Sequence, residues 1–236
     1  MTAVTDWTHR PALRRFWLAG APLSVVAGLM AAANVFVVFA VYQVGFCLLL
    51  PALVNVGGRG FSPAEHLAHL GLGRKAARRG LWLGLGLGGL FAAAILGVFH
   101  WLGHLFLADH DVPGTLAAWG VTRSNLPLVL WFMTLVNGPA EEMYWRGFVQ
   151  QEIGGDRPGF GPILLISLFY ASYHGLTVHL LVGALPVSIL FLAAVGAAGS
   201  LWGWMRARTG SLWPAVISHT AATGAYLAVA GPLFET

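Results

Sequence analysis

The chain reads as an all-α, polytopic membrane protein, a bundle of about seven transmembrane helices. Three observations predict this. Hydrophobic residues make up 57% of the 236 residues and charged residues only 9%, against roughly 25% charged in soluble domains. Several apolar runs are long enough to cross ~30 Å of hydrocarbon at ~20 residues each. The runs are continuous rather than alternating, so helices and not barrel strands must satisfy the backbone in lipid. This length holds about seven such spans and little else, so one integral membrane domain is expected over residues 1–236. The net charge of +4 reports topology more than nucleic-acid binding. Membrane lipid is therefore an expected partner and nucleic acid is not. The single cysteine, Cys47, excludes an intramolecular disulfide and a multi-cysteine metal site. The polar start, residues 1–15, lacks the apolar core and small-residue cleavage site of a signal peptide.

Taken in order, residues 1–15 carry Arg10, Arg14 and Arg15, and an almost uncharged run follows from Phe16 to Val56. That run suits two spans with a turn near Asn34. A basic loop follows, with Arg59, Arg74, Lys75, Arg78 and Arg79. Basic loops stay cytoplasmic, and two spans put the basic N-terminus on that same side. His66 and His69 in this loop are expected on a solvated amphipathic segment. The third span covers about Gly80 to Leu107. Its Gly80, Gly84 and Gly88 recur every fourth residue, spacing that lets another helix approach closely. Residues 108–123, with Asp109, Asp111, Pro113 and Gly114, read as a loop on the far side. His100, His104, Asp109, His110 and Asp111 cluster there and read as interfacial residues at a helix end, with a surface metal site as the alternative. The fourth span covers about Asn125 to Gln151, and the turn-rich stretch Gly154 to Gly159 leads back to the cytoplasmic side. The fifth covers about Phe160 to Val178 and the sixth about Pro186 to Ala207. Thr209-Gly210-Ser211 turns the chain into the seventh, about Leu212 to Ala230, leaving the C-terminus outside. Trp82, Trp101, Trp119 and Trp213 near span ends read as interfacial anchors.

Chemistry concentrates in the fourth span, in Asn137-Gly138-Pro139-Ala140-Glu141-Glu142-Met143-Tyr144-Trp145-Arg146-Gly147. Ionisable groups at membrane depth are costly and mark function. Positions i and i+4 share a helix face, so Glu142 faces Arg146. Glu141 lies about 100° round the helix without such a partner, free to address a water or a substrate. His174 and His219 lie in other spans. At ~1.5 Å per residue, Glu141 sits ~16 Å, His174 ~21 Å and His219 ~12 Å from the cytoplasmic ends of their spans. The three can converge on one cavity. A carboxylate in an apolar cavity can act as general base on water, with imidazoles holding the water or stabilising an oxyanion. One Glu and two His also match a common catalytic zinc set. Both arrangements activate water, and the residues alone leave glutamate-type and zinc-dependent hydrolysis open.

The stretch Glu-Glu-x-x-Trp-Arg-Gly at 141–147 resembles the signature of the CPBP family, which includes the CAAX prenyl proteases and bacterial Abi-type proteins. A second motif, an aromatic followed four residues later by His, is matched by Tyr170 and His174, with Phe169 offering a neighbouring register. Gly203, then Arg208-Thr209-Gly210-Ser211-Leu212-Trp213, then His219 resemble the third region. The family's usual Asn four residues after that His is here Thr223. The resemblance covers roughly residues 125–225. It implies an intramembrane endopeptidase acting on a membrane-associated protein or peptide, which some members take in lipidated form. By that likeness Glu141 is the base, Glu142 and Arg146 orient it, and His174 and His219 position water or stabilise the oxyanion. Thr223 stands where an oxyanion donor is usual. An integral protein of the bacterial inner (cell) membrane is expected, and the basic N-terminus is expected on its cytoplasmic side. Two other readings compete: a non-catalytic immunity or partner-binding protein on the same scaffold, and a proton-coupled transporter. The chain shows no pair of Gly/Pro-broken spans in matching halves, which disfavours transport.

Overall fold

A computed structural model describes residues 11–107 and 111–230. Among them the chain forms nine helices and no strand: α1 (11–31), α2 (Val35–Gly58), α3 (Pro63–His69), α4 (Arg74–Leu107), α5 (Val112–Ala118), α6 (126–154), α7 (Phe160–Val182), α8 (Leu185–Thr209) and α9 (Trp213–Ala230). Four stretches are long and apolar enough to cross a membrane: α2, residues Gly80–Gly103 of α4, α7 and α8. Three further long helices, α1, α6 and α9, complete the bundle. Of the spans expected from sequence, these three are the ones that fall outside that apolar set, and α6 and α9 carry the ionisable residues described below.

The run from Phe16 to Val56 divides in two, as its charge pattern predicts. Asn34 is the reason. Its side chain caps the start of α2, accepting from the backbone N–H of Phe36 at 2.8 Å and of Val37 at 3.4 Å, and so satisfies donors that would otherwise be orphaned. On α1, Trp17, Ala21, Val25 and Leu29 are all buried. Their four-residue spacing puts them on one seam. That seam meets α6, where the Tyr144 hydroxyl donates to the Trp17 carbonyl at 2.6 Å and the Phe148 ring lies edge-on to the indole.

The glycine spacing on α4 also does what it predicts, and the partner is α9. A Cβ at Gly80 would lie 2.6 Å from both Pro214 and Ser211, one at Gly84 2.9 Å from Ile217, and one at Gly88 3.0 Å from Ala221. The two backbones approach as closely as they do because these side chains are missing. α4 begins at Arg74 rather than Gly80, so Arg74, Lys75 and Arg78 belong to its first turns. α7 packs along α8, and a core of aromatic and aliphatic residues runs from Trp17 and Tyr42 through Tyr144, Trp145 and Tyr170 to Trp202.

Three expectations are corrected. The segment after α2 is not only a loop: Ser62 and Glu65 form a reciprocal capping box that starts α3, and His66 is buried rather than solvated. Its Nδ1 lies 3.1 Å from the Asn55 amide. Burial holds both His66 and His69 below the ordinary imidazole value. Residues 108–123 likewise contain a helix, α5, capped by Asp111, whose carboxylate accepts from the Gly114 N–H at 2.8 Å. Trp119 is no interfacial anchor. It is buried in the core, and its carbonyl accepts from the Val35 N–H, whereas Trp82 and Trp101 stand 78% and 74% exposed, as lipid-facing anchors should. The His104 side chain, Asp109, His110, Arg10 and the C-terminal residues 231–236 lie outside the described residues.

Candidate active site

α6 is wound more loosely around its charged stretch. Wide, π-type turns occupy Met133–Asn137, just before Pro139, and Met143–Val149, just after the two glutamates. Proline deletes a backbone donor and clashes with the preceding turn, and wide turns in helices recur at functional sites. Glu141, Glu142 and Arg146 are all buried, at 2%, 0% and 1% exposure. Largely apolar helices surround them, so each charge needs a partner.

Glu142 has two. Its Oε1 accepts from Arg146 Nη1 at 2.9 Å, the i,i+4 pair expected from sequence, and also from His219 Nδ1 on α9 at 3.0 Å. The Arg146 guanidinium lies over the Tyr170 ring at 4.1 Å and near Trp202 at 5.3 Å. Gly199 on α8 makes the room: a Cβ there would collide with Nη2 of Arg146. Between Tyr170 and its neighbour Phe169, the structure thus selects Tyr170 as the motif aromatic. The Trp202 indole stacks on His219 at 4.7 Å and 14° and is itself held by its Nε1–H donating to Ser218 Oγ at 2.9 Å.

Both imidazoles are oriented through Nδ1. His219 Nδ1–H donates to the Glu142 carboxylate. His174 Nδ1–H donates to the Tyr170 carbonyl at 3.0 Å, because a carbonyl can only accept. In the neutral rings Nε2 therefore carries the lone pair. Both Nε2 atoms point toward one oxygen, Glu141 Oε2, from 3.9 Å for His174 and 3.7 Å for His219. Oε2 is buried and receives no hydrogen bond from the protein. Gaps of this length between polar atoms suit one bridging water. Glu141, His174 and His219, predicted from three separate spans, do meet.

Glu141 is not without a partner, however, as the sequence suggested. Its other oxygen, Oε1, accepts from the Tyr173 hydroxyl at 3.0 Å. Tyr173 in turn meets the hydroxyl of Tyr42 on α2, and Trp145 Nε1–H donates to Tyr42 at 2.9 Å. Tyr42, Tyr173 and Trp202 were not singled out from sequence. Tyr173 sits beside His174 and could have been flagged as a polar group at membrane depth. Tyr42 lies 131 residues from its partner, and no local spacing points to it. Thr223 is buried one turn beyond His219, on the same face, and no hydrogen bond joins it to Glu141, His174 or His219.

The zinc alternative meets the chemistry halfway. Rings fixed through Nδ1 are oriented as metal-binding histidines are, although His219 Nε2 already lies 3.5 Å from the Tyr170 hydroxyl, which can donate to it. The spacing does not fit: bonds of ~2.0–2.2 Å set a tetrahedral edge of about 3.4 Å, shorter than both Nε2–Oε2 separations. No group of three His, Cys, Asp or Glu among the described residues closes on a metal-holding geometry. No step is therefore routed through a metal.

Neither a curated protein nor a solved structure matches the chain. One family model does, that of the type II CAAX prenyl endopeptidase Rce1-like proteins, over residues 123–225. That stretch runs from just before α6 through α9 and contains Glu141, Glu142, Arg146, His174, His219 and Thr223. The likeness to the CPBP/CAAX protease family is carried by residues 123–225, rather less than half of the chain.

Proposed function

We propose that the protein is an intramembrane endopeptidase in which Glu141 activates water against a peptide bond of a membrane-associated protein or peptide. The observation that carries this reading is Glu141 Oε2, buried, free of protein donors and faced by two imidazole Nε2 atoms from two other helices. A water there donates one proton toward an imidazole lone pair and the other toward Oε2. Oε2 takes that proton as the water oxygen attacks the carbonyl carbon, giving a tetrahedral oxyanion. As the C–N bond breaks, protonated Glu141 returns the proton to the leaving amine. Glu142, neutralised by Arg146, keeps the His219 proton on Nδ1 and so keeps Nε2 directed at the water. Thr223, one turn beyond His219, supplies a hydroxyl donor to the oxyanion from the same helix face.

The described helices act as one membrane-embedded unit around this site. The family match extends the substrate proposal to prenylated CAAX-type tails, with unlipidated peptides as the comparison set. The reading places the protein in a bacterial cell membrane, with the ends of α2, α6 and α8 that carry Arg59, Arg157 and Arg208 on the cytoplasmic side.

The test is cleavage of a pooled library of plain and prenylated peptides by purified protein in nanodiscs, comparing wild type with Glu141→Gln, with and without a chelator. Wild-type cleavage that survives chelation and falls ~10²–10⁴-fold or more in the variant is the expected result. Cleavage lost on chelation and restored by zinc would replace the glutamate mechanism with a metal-dependent one. A folded wild type that cleaves nothing in the library would favour the non-catalytic scaffold.

A further inference from the structure

We infer that Tyr42 and Tyr173 form a one-way hydrogen-bond clamp that commits Oε1 of Glu141 and leaves Oε2 as the reactive oxygen. This role rests on the hydrolytic reading above. It makes both tyrosines positioning residues, and it brings α2, which lies outside the family-matched stretch 123–225, into the working of the site.

The direction of the chain follows from its ends. An indole N–H can only donate, so Tyr42 must accept from Trp145 Nε1, 2.9 Å away. An ionised carboxylate can only accept, so Tyr173 must donate to Glu141 Oε1, 3.0 Å away. Between them, the Tyr42 proton is left for the Tyr173 oxygen, and the two hydroxyls are in hydrogen-bond contact. Every proton in the series points toward Glu141. Because its head is a donor-only indole, the series cannot carry a proton away from the site, so it orients the carboxylate and does not relay from it. All four side chains are buried, none above 5% exposure, so no water substitutes easily for a missing member. The clamp begins and ends on α6, at Trp145 and Glu141 one turn apart, and closes through α2 and α7. The Tyr42 and Tyr173 rings also pack edge to face at 5.2 Å.

A merely structural role and a positioning role differ in what they move. With Tyr173→Phe, the ring contact stays while the donor to Oε1 goes. Glu141 can then rotate, and its ionised form loses a charge-assisted bond. The other titratable and charged groups around Glu141 are Cys47 on α2, Tyr170 and His174 on α7, His219 and Tyr226 on α9, and Glu142 and Arg146 beside it on α6; all are the same in wild type and variant, so a change in the pH profile reads the clamp. The experiment measures kcat and KM across pH for wild type, Tyr173→Phe, Tyr42→Phe and Glu141→Gln on a prenylated peptide, with thermal unfolding of each in nanodiscs. The expected result for Tyr173→Phe is a kcat lower by about ten- to a hundredfold, the range for one bond to a charged group, with KM little changed and the acid limb of the profile moved to higher pH. Tyr42→Phe should shift both in the same direction by less, since Tyr173 still donates. It also serves as the test if Tyr173→Phe does not fold. Wild-type kcat and profile in both tyrosine variants would overturn the clamp and leave the hydrolytic reading intact, as would a lower unfolding temperature with unchanged kcat. Cleavage that persists in Glu141→Gln would overturn the hydrolytic reading, and the clamp with it.

Discussion

Arg146 shows how a single residue can be read from sequence in one respect and missed in another. Its pairing with Glu142 follows from i,i+4 spacing alone and is present at 2.9 Å. Its seat between the Tyr170 and Trp202 rings, in space left by Gly199, depends on α7 and α8 and has no local signal. Both facts bear on Arg146→Ala. Removing the guanidinium leaves the Glu142 carboxylate, 0% exposed, with His219 as its remaining partner. Breaking a buried pair from one side costs about 3–5 kcal/mol. Folded yield and activity should therefore fall together, as measured by monodisperse protein recovered and cleavage per milligram. A well-folded, fully active variant would reject the assignment. Thr223 makes the opposite prediction. It is buried but bonded to none of the catalytic groups, and Val nearly matches its volume, so Thr223→Val should slow turnover with little change in unfolding temperature. Unchanged turnover would remove Thr223 from the oxyanion site.

At the scale of elements, legible features were those whose physics is local. Asn34 divides the first apolar run because an Asn side chain satisfies helix-start donors. α3 follows the same rule: Ser62-x-x-Glu65 is a capping-box pattern, and it starts the helix that buries His66. The glycine repeat of α4 announced a close neighbour without saying which, since that choice belongs to the bundle. With α9 identified, the glycines divide by face. A methyl at Gly84 would sit 2.9 Å from Ile217 Cβ, while one at Gly86 meets nothing within 4 Å. In a helix interior Gly→Ala is otherwise worth roughly 0.5–1 kcal/mol in favour of Ala. Gly86→Ala should thus raise the unfolding temperature or leave it unchanged. Gly84→Ala should lower it, because forcing atoms into a packed contact costs about 1–3 kcal/mol. Equal effects at the two positions would mean that α4 and α9 do not pack through this face.

The molecule as a whole has an electrical polarity that the sequence states only as a list of loops. The structure gathers those loops at one end. Arg59 at the end of α2 forms a two-pronged pair with Glu152 at the end of α6, at 2.7 and 2.8 Å. Arg206 Nη2 near the end of α8 donates to the His69 carbonyl at 3.1 Å, and the Leu212 N–H ahead of α9 donates to the Gly71 carbonyl at 2.9 Å. Arg74, Lys75, Arg78, Arg157 and Arg208 belong to the same end, and Arg123 lies at the opposite end of α6. On the proposed function, retention of basic segments on the cytoplasmic side sets the direction of α6 and the side from which a substrate tail would reach Glu141. The check uses a Cys47→Ser background, in which the single native thiol, fully buried, is absent. Into it go Ser124→Cys or Asp156→Cys, both at exposed positions flanking α6. A membrane-impermeant maleimide added to intact cells should label the residue-124 thiol at once and the residue-156 thiol only after permeabilisation. The reverse pattern would invert the protein and direct the site to substrates arriving from outside. Labelling of both without permeabilisation would mean that α6 does not cross the membrane, and a glutamate buried in it could not then work at membrane depth.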